Sequence, residues 1–543
     1  MTTAPVLPSA DDPVVAGAVE AIGGPPGRYA RLGERRFWTP VRVLLALTLL
    51  TCLLGWLQKE PCRDGSTWVH EHQYTRACYS DVVALYSAEG LSEGKTPYYD
   101  HPVEYPVVIG GVMHVSARLA EFFTPAQDGK NAAYREGIAR GKRFFDITWG
   151  LLTACALVVV VTTARLAGRR PWDAAMFALA PSLVIHGTTN WDLVAVALSG
   201  MALCAWASRR PVLAGVLLGV ATATKLYPVL FLLPLVMLCL RARRLRPALA
   251  TAVATALTAA AVTLPVYLTS PSYAEVEGKQ VEVLGSPLSR LGDEGLSALD
   301  PTSCVVATTT APVRVLGTRC GGEPSAGTTS HKATNAVYRF FDLNSTRPAD
   351  WDSLYLQLQH LRTDHGFLKG PRNALADLVT DHSSPPKKLN GMIALLGLLL
   401  VAALGLLVAK APRRPRLPQL LFLMVTGFLL LNKVDSPQYV LWLVPLAVLA
   451  RPRWRPFLAW QAAEVLVVFS RFYFFVGNDK PGQGITIDWF FAAVLLRDAL
   501  LVGYAGLVVR DVLRPEHDVV RRDGVDDPAG GVLDGAPDAR AVA

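Results

Sequence analysis

Charge is scarce in this chain of 543 residues: Asp, Glu, Lys and Arg make up 18%, against 51% for the hydrophobic types. A soluble domain of this size covers itself with more charge than that. With a mean hydropathy of +0.31, the composition is that of an integral membrane protein. Also missing is a continuous basic face. The net charge of +9 comes from short clusters between apolar segments, which orient a chain in a bilayer and give no sign of a nucleic-acid partner. No CxxC or His-rich spacing offers a metal-ligand set, so neither a metal nor a cofactor is expected. The first 33 residues carry no apolar run, which excludes a cleavable signal, and their Ala, Pro and Gly content predicts a disordered cytoplasmic tail over 1–33. No internal repeat is visible, which counts against transporters built from paired halves.

What is present is a long series of apolar runs. They predict an all-α, polytopic membrane protein with about 12 transmembrane helices, each roughly 20 residues or somewhat shorter. An N-terminal transmembrane module over 34–268 would contain a first external loop at 58–143. A long external loop, 269–388, separates it from a second module at 389–509, and an acidic, Gly-rich tail at 510–543 reads as disordered and cytoplasmic.

Orientation follows from the basic clusters. Arg35, Arg36 and Arg42 flank a first span, 41–57, that runs outward by the positive-inside rule. The apolar segment 103–123 could span, but would then reverse every later loop. If it instead lies in or against the outer leaflet, spans fall at 144–166, 172–189, 191–208, 212–224, 226–240, 247–268, 389–408, 417–431, 439–449, 456–476 and 489–509. The clusters Arg165/Arg169/Arg170, Arg209/Arg210, Arg241/Arg243/Arg244/Arg246, Lys410/Arg413/Arg414/Arg416 and Arg451/Arg453/Arg455 then all face the cytoplasm, with both termini on that side of the plasma membrane. The basic segment 130–143 is the exception.

The same orientation gathers polar residues at the outer surface: Asn190 and Asp192 in TTNWDL, Lys225 and Tyr227 in TKLYP, and Lys433, Asp435, Gln438 and Tyr439 in NKVDSPQY. Charges at span ends persist where they line a wet cavity or pair with one another, so the shared address points to an outward-facing site. It also places Cys62, Cys78, Cys304 and Cys320 outside, as two equally spaced pairs expected to form disulfides, and leaves Cys52, Cys155, Cys204 and Cys239 as buried thiols within spans.

The densest polar stretch is CYSDVVALYSAEGLSEGKTPYYDHPVEYP, Cys78 to Pro106. Read as a helix, its start puts Tyr79, Val82, Val83 and Tyr86 on one face and leaves Asp81 opposite, beside Ala84 and Ala88. Such a helix can lie flat at the interface with Asp81 facing a cavity. The three prolines of GKTPYYDHPVEYP suit a stiff, nonhelical wall on which Tyr98, His101, Glu104 and Tyr105 offer ring and hydrogen-bond contacts. In the long external loop, YRFFDLNSTRPADWDSLYLQLQHL predicts a helical stretch carrying Arg347 and Asp352.

Taken in order, YSDVVALYSAEGLSEGKTPYYDHPVEYPV, NWDLVAVAL, AGVLLGVATATKLYPVLFLLPL and NKVDSPQYVLWLVPL resemble the integral-membrane glycosyltransferases of the C-type fold. The likeness is to glycosyltransferase family 87, the polyprenyl-phosphate-mannose-dependent α-mannosyltransferases of bacterial envelopes. It runs from about Arg36 to Val509. The resemblance implies a lipid-linked sugar donor entering from the bilayer, a glycolipid or glycan acceptor on the outer side, and a catalytic Asp in the first external loop, which by motif position is Asp81. It also implies that the helix after the EYP turn is juxtamembrane.

Polyprenyl phosphate is a good leaving group, so the chemistry asks for a carboxylate to take the acceptor proton and for cations on the phosphodiester. Asp81 is the expected base, Lys225 the first expected phosphate ligand, with Lys433 and Arg347 next. Direct displacement would invert the anomeric carbon. Bland roles stand beside these: Asn190 and Asp192 as helix caps, Lys225 snorkelling to the interface, Tyr227 and Tyr439 as an aromatic belt. Two other functions stay open, arabinosyl transfer from an analogous donor and a transporter or flippase for a lipid-linked sugar.

Overall fold

The computed structural model of the chain describes residues 38–63, 72–276, 279–308, 311–315, 329–363, 385–480, 482–521 and 526–536. The expected N-terminal tail, 1–33, lies outside them, as does Cys320.

Among the described residues, the helices that the fold is built on are α1 (Pro40–Lys59), α2 (Asp81–Ala88), α3 (Val107–Phe123), α4 (Ala132–Leu166), α5 (Pro181–His186), α6 (Asp192–Ala207), α7 (Pro211–Thr224), α8 (Leu232–Arg241), α9 (Leu245–Thr269), α10 (Arg339–Thr346), α11 (Leu354–Thr363), α12 (Lys387–Lys410), α13 (Leu417–Leu431), α14 (Val440–Ala450), α15 (Trp454–Asp479) and α16 (Ile487–Leu513). Proline punctuates the series, as it must where the first backbone N–H has no partner in any case: α1, α5, α7 and α13 all have Pro in their first two positions.

Among the described residues, six helices are long and apolar enough to cross a membrane: α1 continued to Cys62, α4, α9, α12, α15 and α16. Five shorter apolar helices accompany them, over Asp192–Ala207, Pro211–Thr224, Tyr227–Arg241, Leu417–Leu431 and Pro437–Ala450. The run expected to span at 172–189 is broken into a 3-10 turn at Pro171–Ala174, a single helical turn at Ala175–Ala178 and α5. At 35 residues α4 is about 52 Å long, well beyond the roughly 30 Å of a hydrocarbon core. Its first turns carry the basic residues Arg135, Arg140, Lys142 and Arg143 as a helical extension of the apolar run. Helix α3, at 17 residues, is shorter than the six.

Small residues set the closest packing. In α7, a Cβ on Gly215 would lie 2.4 Å from the Thr251 carbonyl oxygen of α9, and one on Gly219 would lie 2.7 Å from that of Thr255. The GVLLG run thus lets two backbones touch, the geometry that drives helix association where no water is present.

Two features depart from expectation. The segment after α9 contains a five-stranded antiparallel sheet of order β2-β1-β5-β3-β4, built from β1 (Ser272–Val276), β2 (Lys279–Leu284), β3 (Thr302–Thr308), β4 (Ala311–Val315) and β5 (Thr329–Asn335). Its β-branched runs TSCVVAT and APVRV are strand formers. The other described elements keep the helical architecture.

The second correction concerns the tail, expected to be disordered from 510. Helix α16 runs on to Leu513, and residues 514–521 and 526–536 fold back onto the helix ends. Asp518 receives two bonds from Arg416, at 2.7 and 3.1 Å, and both side chains are only 2% exposed. Asp527 accepts the Leu417 N–H at 2.7 Å, Arg414 reaches the Leu533 carbonyl at 2.8 Å, and the Trp206 indole donates to the Gly530 carbonyl at 3.0 Å. Gly531, at φ +59°, passes so close that a Cβ there would lie 2.1 Å from the Trp206 carbonyl oxygen. This clasp joins α6 to the α12–α13 turn, and its acids answer arginines expected only to set topology.

Candidate active site

Asp81 is held by both halves of the chain. Ser80 caps α2, accepting the Val82 N–H while its own hydroxyl donates to the Thr188 carbonyl at 2.7 Å. The Asp81 N–H donates to the Thr189 carbonyl at 2.8 Å, so the start of α2 is fastened to the turn before α6. On the carboxylate, Oδ2 accepts from Asn190 Nδ2 at 2.8 Å and from Gln438 Nε2 at 3.3 Å, and the Tyr79 hydroxyl also bonds the carboxyl. Burial pushes the Asp81 carboxyl above the ordinary carboxylate range, and the bonds from Asn190 and Tyr79 and the charge of Lys225 oppose that shift.

The carboxylate lines a cavity of about 170 Å³ together with Lys59, Tyr74, His186, Gln438 and Arg471. Lys59 is 1% exposed and donates one hydrogen bond, to the Tyr79 carbonyl at 2.7 Å. Both ring nitrogens of His186, at 4% exposure, lack a hydrogen-bond partner. Arg471 pairs with Asp352 and lies over the Phe475 ring at 5.4 Å. A buried imidazole with nothing to bond, a guanidinium and a buried amine beside one carboxylate make a wall able to hold an anionic group.

Lys225 is placed differently from expectation. Its ammonium pairs with Asp192 at 2.8 Å and sits in an aromatic box, 5.6, 5.3 and 5.9 Å from the Tyr105, Tyr439 and Trp442 rings. Trp442 also donates to Asp192 at 2.7 Å and stacks between Tyr227 and Tyr439. Asn190 ties this group to the cavity by donating to the Tyr105 hydroxyl at 2.7 Å. Lys225 thus spends its charge inside the protein, close to Asp81.

The remaining candidates form a rim and a frame. Glu104 and Arg347 make a partly exposed ion pair at 2.5 Å, joining the turn before α3 to the end of α10. Lys433 donates to the Ser345 and Arg347 carbonyls at 3.1 and 2.6 Å, closing the end of that helix. Asp435 pairs with Arg497 at 2.9 Å. Tyr98 spends its hydroxyl on the Tyr105 and Pro106 carbonyls, at 2.9 Å each, and so shapes the turn. His101 lies 3.6 Å from Glu89, which also accepts the Glu104 N–H. Among the described residues, no three His, Cys, Asp or Glu side chains group as a metal-ligand set.

Cys62 and Cys78 are joined, which ties the end of α1 to the segment leading to Asp81. Cys304 is also disulfide-bonded, while Cys52, Cys155, Cys204 and Cys239 are free. Sequence reasoning missed Lys59, His186 and Arg471. For Arg471 a signal exists, a lone charge inside the apolar run VLVVFSRFYFFVG.

A family model described as glycosyltransferase family 87 matches residues 144–276. This is the family that the ordered motifs resemble. The matched region carries His186, Asn190, Asp192, Lys225 and Tyr227; Asp81 precedes it and Lys433 to Arg471 follow it. No curated protein matches the chain.

Proposed function

Taking the chain as a membrane glycosyltransferase, we propose that it moves a sugar, mannose, from a polyprenyl-phosphate donor to a hydroxyl of an envelope glycolipid or glycan on the extracytoplasmic side of the plasma membrane, with Asp81 as base and with inversion at the anomeric carbon. One observation carries the reading: a carboxylate with raised proton affinity shares a cavity wall with Lys59, His186 and Arg471.

The chemistry balances with these groups. The acceptor oxygen forms a bond to the anomeric carbon as the bond from that carbon to the phosphate oxygen breaks. The acceptor proton passes to Asp81, whose preference for the protonated state at a buried site favours the transfer. Charge gathers on the departing polyprenyl phosphate, where Arg471 and Lys59 can offer N–H donors that are already in place. Tyr79, Asn190 and Gln438 orient the base. Lys225, neutralised by Asp192, acts on the base from behind and not on the phosphate. Glu104 and Arg347 stand where an acceptor would enter from the external loop.

The test is sugar transfer by the purified protein in lipid nanodiscs, with labelled polyprenyl-phosphate-mannose, the arabinose analogue as a second donor, and an envelope glycolipid extract. Transfer from the mannose donor by wild type and its loss in folded Asp81→Asn support the reading. Equal transfer by the variant removes Asp81 from the mechanism, and transfer only from the arabinose donor replaces mannose.

A further inference from the structure

At the far end of α15 from the Asp81 cavity, four arginines converge. Trp454 precedes Arg471 by seventeen residues on one continuous helix, which puts it about 26 Å away. There, Arg451, Arg453, Trp454, Arg455, Pro456 and Arg510 surround an open cavity of about 450 Å³. Three elements build it: the residues after α14, the first turn of α15, and the last turn of α16.

Topology alone asks for positive charge near a helix end and not for convergence on one hollow. Here Arg451, 6% exposed, is fixed by Asp511, which also takes Arg510 at 3.2 Å. One carboxylate thus answers two arginines. Arg455 has no ion pair among the described residues, and the Nε donors of Arg451 and Arg510 are buried without a hydrogen-bond partner. The amino end of α15, a 26-residue helix, opens on the same hollow and adds its positive dipole. Trp454 is 41% exposed, and Leu458 one turn later is 45% exposed, so an apolar, lipid-type flank runs directly from the arginines.

We propose that this hollow is a binding site for a phosphate-bearing group, and that its occupant is the headgroup of an anionic phospholipid of the leaflet opposite the Asp81 cavity. The guanidinium groups take the phosphate oxygens, Trp454 sits at the headgroup level, and the acyl chains follow the Leu458 flank. The site stands apart from the transfer reaction and does not depend on it.

The experiment is thermal unfolding of the full chain in neutral detergent, with added dioleoylphosphatidylglycerol, dioleoylphosphatidylcholine or inorganic phosphate. Phosphatidylglycerol is expected to raise the midpoint and phosphatidylcholine to leave it unchanged. Arg453→Gln/Arg455→Gln is expected to lose the rise that phosphatidylglycerol gives over its own lipid-free midpoint. Arg209→Gln/Arg210→Gln, which removes two positive charges from another cluster, is expected to keep the rise. An equal rise with inorganic phosphate would assign the site to the free anion. An undiminished rise in the Arg453/Arg455 variant, or an equal loss in the Arg209/Arg210 variant, would overturn the site.

Discussion

Asn190 donates to Asp81 Oδ2 at 2.8 Å across 109 positions of sequence. The bond favours the ionised carboxylate, against the burial that raises its affinity for protons. Replacing Asn190 with Ala removes both an orienting contact and that bias. Turnover should fall by roughly 10- to 100-fold. The acid limb of the pH profile for kcat/KM should also move to higher pH, because the base then holds its proton longer. A limb that stays in place would mean that some other group titrates.

Glu89 gives a stability test. Burial raises its carboxyl to about 7, above its ordinary value of 4.5. Between those two values the folded state binds more protons than the unfolded one, so this group makes stability fall as pH rises from about 4.5 through 7. Glu89→Gln keeps an acceptor for the Glu104 N–H and abolishes the titration. It should melt higher than wild type at pH 8, by no more than about 3 kcal/mol in free energy, and alike at pH 4.5. Parallel melting curves at both pH values would show that Glu89 is not held in this way.

The Cys62–Cys78 bridge closes a loop of sequence separation 16. On the chain-entropy account its loss costs about 3 kcal/mol. Because Lys59 precedes one cysteine and Asp81 follows the other, Cys62→Ala/Cys78→Ala should lose activity as well as thermal stability. Unchanged melting and turnover would mean that packing alone holds the loop.

The helical spans could be read from the sequence because each is a long apolar run whose hydrogen bonds are local. The clasp could not. DVVRRDGVDDPAGGVLDG has the composition of a disordered tail, and what orders it comes from far away: Arg416 lies 102 positions from Asp518, and the Leu417 N–H lies 110 from Asp527. The site divides in the same manner. TTNWDL and NKVDSPQY stand out as polar groups at the ends of apolar runs, and the structure brings both to Asp81. That Lys225 would pair with Asp192 and leave the cavity wall to Lys59 and Arg471 depends on helix rotation, which spacing does not reveal. The sheet was hidden because its strands pair across loops within a turn-rich segment.

Removing Asp518 tests the clasp. Asp518→Ala leaves the Arg416 guanidinium buried without its counter-charge, a change expected to cost about 3–5 kcal/mol. Arg416→Met/Asp518→Leu, which removes both charges, should recover most of that loss. Thermal unfolding of the two variants reads the difference. Equal melting of wild type and Asp518→Ala would show that water reaches Arg416 in place of the acid.

The distance in sequence between Arg416 and Asp518 also bears on how the protein is made. Arg416 is synthesised before any residue of α13 to α16, and it leaves the ribosome before α16 is made. Until Asp518 follows, its guanidinium has no buried counter-charge, and the ends of α6 and α13 that the clasp joins lack that fastening. Only after the last helix does Asp518 arrive to supply that charge. Biogenesis thus acquires a final, soluble-phase step. The membrane helices can slide and rotate to assemble the cavity around Asp81 first, and the latch that fixes them closes afterwards, from the aqueous side.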